Sequence, residues 1–499
     1  MTQSRRPPGS DDDKLHEECA IVGVWNAVGA AKLTALGLHA LQHRGQEASG
    51  IFSYDRSEGR FYSRKGRGTV ERVFGSPERM EGLKGGGAIG HNRYATTGED
   101  MSSNIQPMFA EFSFGGFAVA HNGNLTNALK IRQRLVGEGS IFQSTTDTEV
   151  IIHLIARSVR SNLVERVVDA LSQMEGAYSL VALSRKKLIG VRDPMGVRPL
   201  ALGRLTSVEN ADAYVLASES CAFDMIGAEF VRELDPGEML IIDDSGLTSL
   251  KPFPVARHRP CIFEHIYFAR PDSILGGRSV YESRKRIGME LARESHPRGG
   301  ADIVVPVPDS GVPAAIGYAA EAGVPFELGI VRSHYVGRTF IQPTQSIRDL
   351  GVRMKHSANA ALLKGKRVVL VDDSIVRGTT SAKIVDLVRR AGAAEVHMRI
   401  SSPPTTDPCF YGIDTPDRSE LLAARYSVEQ MTAQIKADSL AFVSADGLYR
   451  AMGEADGRNA ERPQYCDACF TGQYPTRLVD AEAGLVGVAT DRPIEQAAE

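Results

Sequence analysis

The stretch Arg367-Val-Val-Leu-Val-Asp-Asp-Ser-Ile-Val-Arg-Gly-Thr-Thr380 decides the fold of the second half of the chain. Its apolar run, residues 368–371, predicts a strand buried on both faces of a parallel sheet. Two carboxylates, Asp372 and Asp373, follow the strand, and a small-residue loop leads into a helical pattern that closes at Gly392. This order predicts a phosphosugar site at the carboxyl edge of an open α/β sheet.

In such a loop the backbone N–H groups of residues 378–380 can hold a phosphate, and the carboxylates can accept from ribose hydroxyls or hold hydrated Mg²⁺. An ordinary strand-to-helix turn with two solvated aspartates is the alternative interpretation. The whole pattern resembles the phosphoribosyl pyrophosphate signature of type I phosphoribosyltransferases. The resemblance implies that Asp372 and Asp373 contact the ribose and the metal. It implies further substrate contacts from Ser374, Arg377, Gly378, Thr379 and Thr380, with residues 377–380 around the 5-phosphate.

The composition is that of a soluble globular protein with two large domains, because 499 residues are too many for one core. The net charge of -3 argues against nucleic acid as the main partner. No apolar run reaches the ~18 residues of a membrane span, and residues 1–18 lack the apolar region of a secretory signal. Six cysteines do not indicate a secreted disulfide framework. We therefore expect a cytoplasmic protein.

The first half of the chain changes character at Cys19, where the polar lead of residues 1–18 gives way to the apolar strand Cys19-Ala-Ile-Val-Gly-Val-Trp25. A buried structural cysteine is the common interpretation of such a residue. Alternatively the lead is removed, and Cys19 becomes the first residue. Its thiol is then a nucleophile, and its own α-amine, with an unperturbed pKa near ~8, is the base.

Four polar clusters follow Cys19 at the predicted ends of strands or helices. They are His43-Arg-Gly-Gln-Glu47, His91-Asn-Arg-Tyr-Ala-Thr-Thr-Gly98, His121-Asn-Gly-Asn124 and Ser144-Thr-Thr-Asp-Thr-Glu149. Each alone could be a turn. In this order, over roughly residues 19–250, they resemble the glutaminase domain of the N-terminal-nucleophile amidotransferases. The resemblance implies an α+β domain with αββα layers.

The same resemblance assigns roles in hydrolysis of the side-chain amide of glutamine. Cys19 attacks the amide, and the Asn122 side chain with the Gly123 N–H stabilises the oxyanion. Arg93 pairs with the α-carboxylate of glutamine, and Asp147 pairs with its α-ammonium. The loop of residues 94–104 closes over the substrate. Two further strings, residues 193–199 and 217–221, match as scaffold and domain contact, with Cys221 a core residue.

The proline-rich segment 251–260 predicts an inter-domain linker. Beyond it, the strand of residues 303–308 ends in Asp309-Ser310-Gly311. By resemblance this loop meets the pyrophosphate, with Ser310 near the metal. The Arg- and Gly-rich residues 333–355 form either a solvated basic loop or, as we favour, a mobile flap that supplies cations to the leaving group and excludes water. The candidate cations are Arg332, Arg338, Arg348, Arg353 and Lys355.

Four cysteines in the second half form a candidate metal site. Cys466 and Cys469 make a single Cys-x-x-Cys pair. With Cys261 and Cys409 they supply enough thiolates for a [4Fe–4S] cluster or structural Zn²⁺, and spacing alone cannot choose between them. Residues from about 479 are Ala/Glu-rich, and we expect them to be poorly ordered.

A glutaminase followed by a phosphoribosyltransferase resembles the phosphoribosyl pyrophosphate amidotransferase family, over about residues 16–475. It resembles in particular the subclass with a cleaved propeptide and an iron–sulfur cluster, which favours [4Fe–4S] over zinc. The implied organisation is a propeptide (1–18), a glutaminase domain (19–255), an α/β phosphoribosyltransferase domain that carries the cysteines (256–478) and a disordered tail (479–499).

The family implies two half-reactions. Ammonia released from glutamine passes through an internal tunnel and displaces pyrophosphate from phosphoribosyl pyrophosphate, giving 5-phosphoribosylamine at the entry to purine synthesis. It also implies one Mg²⁺ and one structural [4Fe–4S] cluster per subunit, purine nucleotide inhibitors and a homotetramer. A different glutamine amidotransferase would lack Asp372-Asp373. A phosphoribosyltransferase-like regulator would have no need for a glutaminase site made of Cys19, Arg93, Asn122 and Asp147.

Overall fold

The computed structural model describes residues 19–94, 102–206, 213–332 and 356–486. In chain order its first thirteen strands are β1 (Ala20–Trp25), β2 (Ala48–Asp55), β3 (Arg60–Arg67), β4 (Gly87–Arg93), β5 (Met108–Phe112), β6 (Gly115–Leu125), β7 (Gly176–Ser184), β8 (Leu188–Arg192), β9 (Ala201–Leu205), β10 (Tyr214–Ala217), β11 (Ala228–Glu233), β12 (Met239–Asp243) and β13 (Gly246–Leu250). The helices between them are α1 (Ala30–Ala40), α2 (Val70–Phe74), α3 (Pro77–Met80), α4 (Ala128–Gly137), α5 (Thr148–Arg157), α6 (Leu163–Leu171) and α7 (Cys221–Ile226).

These strands form two antiparallel sheets, in the orders β11-β9-β10-β1-β4-β2-β3 and β13-β12-β8-β7-β6-β5. Alternating side chains give each sheet two buried faces. One apolar cluster, with Trp25, Ile89 and Leu183 among its members, fills the space between the sheets. The outer face of the first sheet packs on α1, α2, α3 and α7, and that of the second on α4, α5 and α6. The expected αββα glutaminase architecture is confirmed.

The second half contains the strands β14 (Ile274–Leu275), β15 (Arg278–Ser279), β16 (Ile303–Pro306), β17 (Ile330–Arg332), β18 (His356–Ala358), β19 (Arg367–Asp372), β20 (Glu395–Ile400) and β21 (Ser439–Phe442). Its helices are α8 (Val280–Ser295), α9 (Val312–Ala322), α10 (Ala360–Leu363), α11 (Thr379–Arg390), α12 (Leu422–Arg425), α13 (Val428–Ile435), α14 (Ala445–Ala451), α15 (Ala468–Thr471) and α16 (Val479–Glu482). The central sheet, in the order β16-β19-β20-β21, is parallel, with apolar clusters on both faces. This is the α/β domain that we predicted.

The stretch that decides the fold behaves as predicted. Strand β19 is buried from Val368 onward and ends at Asp372. Helix α11 begins after Gly378, whose φ of 82° lies in the left-handed region. The helix buries Ser381, Ile384, Val385 and Val388 on one face, the spacing of an amphipathic helix.

The expectation of a disordered tail from residue 479 is wrong for residues 479–486. Val479 and Asp480 are buried in α16, because this short helix packs on α4 of the glutaminase domain. Residues 487–499 lie outside the described part of the chain, as do the predicted propeptide and the 333–355 segment. Across the described residues, no helix combines the length and apolarity needed to cross a membrane.

Candidate active site

The predicted nucleophile, Cys19, lies at the start of β1, where it is buried. The neighbouring strand is β4, in which Asn92 is paired with Ala20. Cys19 Sγ lies 3.9 Å from the carbonyl oxygen of Tyr94, the residue after Arg93. Arg93 is buried too. The structure therefore brings the predicted nucleophile close to the predicted carboxylate-binding arginine. Of the loop 94–104, residues 95–101 lie outside the described part of the chain.

The predicted oxyanion donors occupy the end of β6. Asn122 is completely buried, and neither atom of its side-chain amide has a hydrogen-bond partner among the described residues. Gly123 has a φ of 135°, and a Cβ there would lie 2.1 Å from the Ala177 carbonyl oxygen, so this position requires glycine. A buried amide without partners costs free energy, so its presence in a folded protein calls for an explanation such as a ligand. The arrangement fits an oxyanion hole that is filled only when substrate is bound.

Asp147 is held beside these donors. Its Oδ2 accepts from the Leu125 N–H at 3.1 Å, and its Oδ1 lies 3.5 Å from His121 Nδ1. Burial raises the pKa of this carboxyl, but His121 and the hydrogen bonds from Leu125 and Thr146 outweigh burial and hold the pKa below its usual value. Asp147 is therefore ionised at neutral pH, as a partner for an ammonium group must be. His91 Nε2 contacts the His121 carbonyl at 3.1 Å, which joins β4 to β6.

The predicted phosphosugar site lies at the carboxyl edge of the parallel sheet. Asp372 and Asp373 are both buried, and the Asp373 N–H donates to Asp372 Oδ1 at 2.9 Å. The Ser374 hydroxyl donates to Asp373 Oδ1 at 2.7 Å. Gly378 precedes Thr379 and Thr380 in the first turn of α11. The loop has the arrangement expected for a phosphate at a helix N-terminus beside two carboxylates.

The loop that we predicted to meet the pyrophosphate follows β16 and lies at the same edge, since β16 pairs in parallel with β19. Asp309 in this loop pairs with Arg332 at the end of β17, and Ser310 is the next residue. Arg377 pairs with Glu420 at 2.9 Å, a contact that was not predicted. Arg338, Arg348, Arg353 and Lys355 lie outside the described residues, although β17 pairs with β18 on either side of that segment.

The four cysteines of the candidate metal site line one cavity, together with Val197, Arg198, Tyr411, Ile413 and Ala468. Cys261 and Cys466 form a β-bridge. None of the four forms a disulfide. Burial raises the pKa of Cys261 to about 12, and burial together with the neighbouring thiols raises those of Cys466 and Cys469 well above the usual value.

Four cysteines are a donor set for either a [4Fe–4S] cluster or structural Zn²⁺, because buried thiols with raised pKa values become thiolates when a bound metal supplies compensating positive charge. Among the described residues, no three His, Cys, Asp or Glu side chains converge as the ligands of a single ion do.

Several further contacts that were not predicted join the two domains. A buried network links Arg44 and Glu219 of the glutaminase domain to Glu264, which in turn accepts from Arg198 at 3.1 Å. Asn124 donates to the Phe410 carbonyl at 2.9 Å. No local pattern marks these pairs, because each joins residues that are far apart in the chain. The expectation that residues 193–199 and 217–221 support the domain contact agrees with this network.

Two family models match the chain, one described as a glutamine amidotransferase domain over residues 91–225 and one as a phosphoribosyl transferase domain over residues 279–401. A Rhizobium etli amidophosphoribosyltransferase is 54% identical over 98% of both chains, and a Bacillus subtilis amidophosphoribosyltransferase is 48% identical over 93% of this chain and 95% of its own.

A solved structure of the B. subtilis glutamine phosphoribosylpyrophosphate amidotransferase, complexed with ADP and GMP, has a TM-score of 0.85 at 47% identity and covers 92% of this chain and 98% of its own. The similarity thus extends through both domains and their relative placement. The chain belongs to the amidophosphoribosyltransferase family, the glutamine-dependent phosphoribosyltransferases of purine biosynthesis.

Proposed function

We propose that Cys19, freed at its α-amine by removal of residues 1–18, is the nucleophile that releases ammonia from glutamine. The α-amine takes the thiol proton, and the thiolate sulfur bonds to the amide carbon. The C–N bond then breaks, the proton passes to the departing ammonia, and water hydrolyses the remaining thioester to glutamate. The observation that carries this assignment is the buried side-chain amide of Asn122 beside Gly123. This amide has no hydrogen-bond partner in the described part of the chain, which suits a donor for the developing oxyanion.

The second half-reaction takes place at the carboxyl edge of the parallel sheet. The ammonia nitrogen bonds to C1 of phosphoribosyl pyrophosphate, and pyrophosphate leaves with the electron pair of the C1–O bond. Asp372 and Asp373 accept from the ribose hydroxyls, and the first turn of α11 holds the 5-phosphate through backbone N–H groups. One Mg²⁺ per subunit, bound near Asp372, Asp373 and Ser310, would supply positive charge to the leaving group.

We further propose one [4Fe–4S] cluster on Cys261, Cys409, Cys466 and Cys469. It has a structural role, because neither half-reaction moves electrons. We also propose that purine nucleotides inhibit the enzyme. We propose in addition that it is a homotetramer located in the cytoplasm. The nucleotide assignment is supported by the ADP and GMP bound to the B. subtilis relative. Metal and sulfide analysis of anaerobically purified protein distinguishes four iron from one zinc, and N-terminal sequencing tests whether the chain begins at Cys19.

The nucleophile is tested by Cys19→Ala, with Cys221→Ala as the matched control, since Cys221 is also a buried free cysteine. Cys19→Ala is expected to abolish glutamine-dependent formation of phosphoribosylamine and to retain the rate with ammonium salt. Cys221→Ala should retain both rates. Loss of both activities in Cys19→Ala, with the protein still folded, would overturn the separation of the two sites.

A further inference from the structure

The end of strand β6 is held by the phosphoribosyltransferase half of the chain. Side chains two apart on a strand point to the same face, so Asn124 shares a face with the oxyanion donor Asn122. Asn124 Nδ2 donates to the Phe410 carbonyl at 2.9 Å, and Phe410 follows Cys409 of the cysteine cavity. The oxyanion strand is thereby attached to the cysteine cavity two residues beyond its catalytic amide.

A second attachment comes from the C-terminal segment, residues 476–485, which we name the clasp. Helix α4 follows β6, and its N-cap residue, Asn127, makes no side-chain capping bond. Asp480 of the clasp takes its place. Its Oδ2 accepts from the Leu129 N–H at 2.8 Å, and its Oδ1 accepts from the Lys130 N–H at 2.9 Å. Asp480 is only 4% exposed, and a carboxylate at a helix N-terminus is stabilised by the helix dipole.

The turn between β6 and α4 is fixed by two more contacts with the clasp. The Asp480 N–H donates to the Thr126 carbonyl at 2.8 Å, and the Thr126 hydroxyl donates to the Arg477 carbonyl at 2.8 Å. Thr126 follows Leu125, whose N–H donates to Asp147. A shift of this turn therefore moves both the oxyanion strand and the partner of the substrate ammonium.

We propose that Asn124 and Asp480 are positioning residues for the glutaminase half-reaction, which they serve by fixing the end of β6 against the phosphoribosyltransferase half. The proposal rests on the proposed function of Cys19 and Asn122. Neither residue touches the substrate. They act by keeping Asn122, Gly123 and Asp147 in one geometry, and a displacement of about 1 Å at such a site can cost on the order of a hundredfold in rate.

The clasp also has direct contacts with the cysteine cavity. The Thr476 N–H donates to the Tyr411 hydroxyl at 3.0 Å, and the Tyr411 N–H donates to Cys409 Sγ at 3.3 Å. The Tyr474 hydroxyl, just before the clasp, donates to the Pro408 carbonyl at 2.6 Å. Hydrogen bonds that involve side chains thus connect the segment that carries Cys409 to the clasp.

The experiment compares Asp480→Asn and Asn124→Ala with Glu482→Gln. Glu482→Gln removes the same charge as Asp480→Asn from the same helix and keeps an oxygen that can accept from Arg477. For the first two variants we expect a roughly ten- to hundredfold loss of kcat/KM for glutamine, with the ammonia-dependent rate unchanged. Hydrogen exchange measured by mass spectrometry should show faster exchange in a peptide spanning residues 120–130. Glu482→Gln should match the parent protein in all three measurements.

The proposal is overturned if either variant keeps the parent kcat/KM for glutamine. It is also overturned if glutamine- and ammonia-dependent rates fall together, since that result indicates general destabilisation. Asn124→Ala provides an independent answer if Asp480→Asn does not fold. Failure of the proposed function has a different signature, because Cys19→Ala would then retain its glutamine-dependent rate whatever the two positioning variants do.

Discussion

Arg44 and Glu264 form a buried two-point ion pair across the boundary between the two domains. Arg44 Nη1 donates to Glu264 Oε1 at 3.3 Å, and Nη2 contacts Oε2. Both side chains are at most 3% exposed, and Glu264 also accepts from Arg198, which lines the cysteine cavity. Two arginines thus share one carboxylate in an environment with almost no water. Because water does not solvate these buried charges, the two arginines depend for compensation on the carboxylates that they contact.

Glu264→Gln is therefore expected to destabilise the protein by about 3–5 kcal/mol, because it leaves Arg44 and Arg198 buried with less compensating charge. The measurement is the midpoint of chemical denaturation. Asp244→Asn is the matched control, since it breaks the exposed ion pair with Arg56, and it should change the free energy of unfolding by less than about 1 kcal/mol. Equal effects in the two variants would contradict the structural role of Glu264.

Asn122→Ala should lower kcat for glutamine on the order of a hundredfold or more, the usual effect of removing one oxyanion donor. The ammonia-dependent rate should be unchanged, because the second half-reaction does not use this amide. Asn162→Ala is the control, since Asn162 caps α6 at the surface and affects stability alone. An Asn122→Ala variant with normal glutaminase kinetics would remove this residue from the oxyanion hole.

Asp373→Asn should weaken both the glutamine- and the ammonia-dependent reactions, because both require bound phosphoribosyl pyrophosphate. A charged hydrogen bond to a ribose hydroxyl is worth about 1.5–3 kcal/mol, so we expect a loss of about ten- to hundredfold in kcat/KM for this substrate. Asp386→Asn, on the exposed face of α11 where it pairs with Arg390, is the control. A defect confined to the glutamine-dependent rate would contradict this role, because it would show that Asp373 is not needed to bind phosphoribosyl pyrophosphate.

The parts of the fold and site that could be predicted from the sequence are those formed by residues that follow one another in the chain. In residues 367–380 the strand, carboxylates, loop and helix start follow one another, so each constrains the next. Asp480 could not be predicted, because its partners Leu129 and Lys130 lie 351 and 350 residues earlier. The Ala/Glu-rich composition around Asp480 instead indicated disorder. Burial of this segment is decided by a surface of the other domain, which no local pattern describes.

The free energy of unfolding should depend on pH because His91 stays neutral in the folded protein. Burial is the main reason why the pKa of His91 falls to about 3, and the positive charge of Arg93 adds to the effect. Below pH 6.5 the unfolded chain takes up a proton that the folded protein cannot. The free energy of unfolding should therefore fall as pH falls from about 6.5 towards 3, by at most about 1.4 kcal/mol per pH unit from this residue.

His91→Gln should flatten this acid limb in denaturation curves collected across the same pH range. His39→Gln, at an exposed position of α1, should leave the limb as it is in the parent protein. An unchanged acid limb in His91→Gln would show that other groups control the loss of stability.

The cap that Asp480 places on α4 has a consequence for the order of events during synthesis. Domains generally fold from the N-terminus as the chain leaves the ribosome, yet the cap of α4 arrives 350 residues after Lys130. A nascent glutaminase domain therefore waits for its last contact until the phosphoribosyltransferase domain has emerged. If Asp480 positions the end of β6 as we propose, the half that releases ammonia reaches its working geometry only after the half that consumes ammonia has been synthesised.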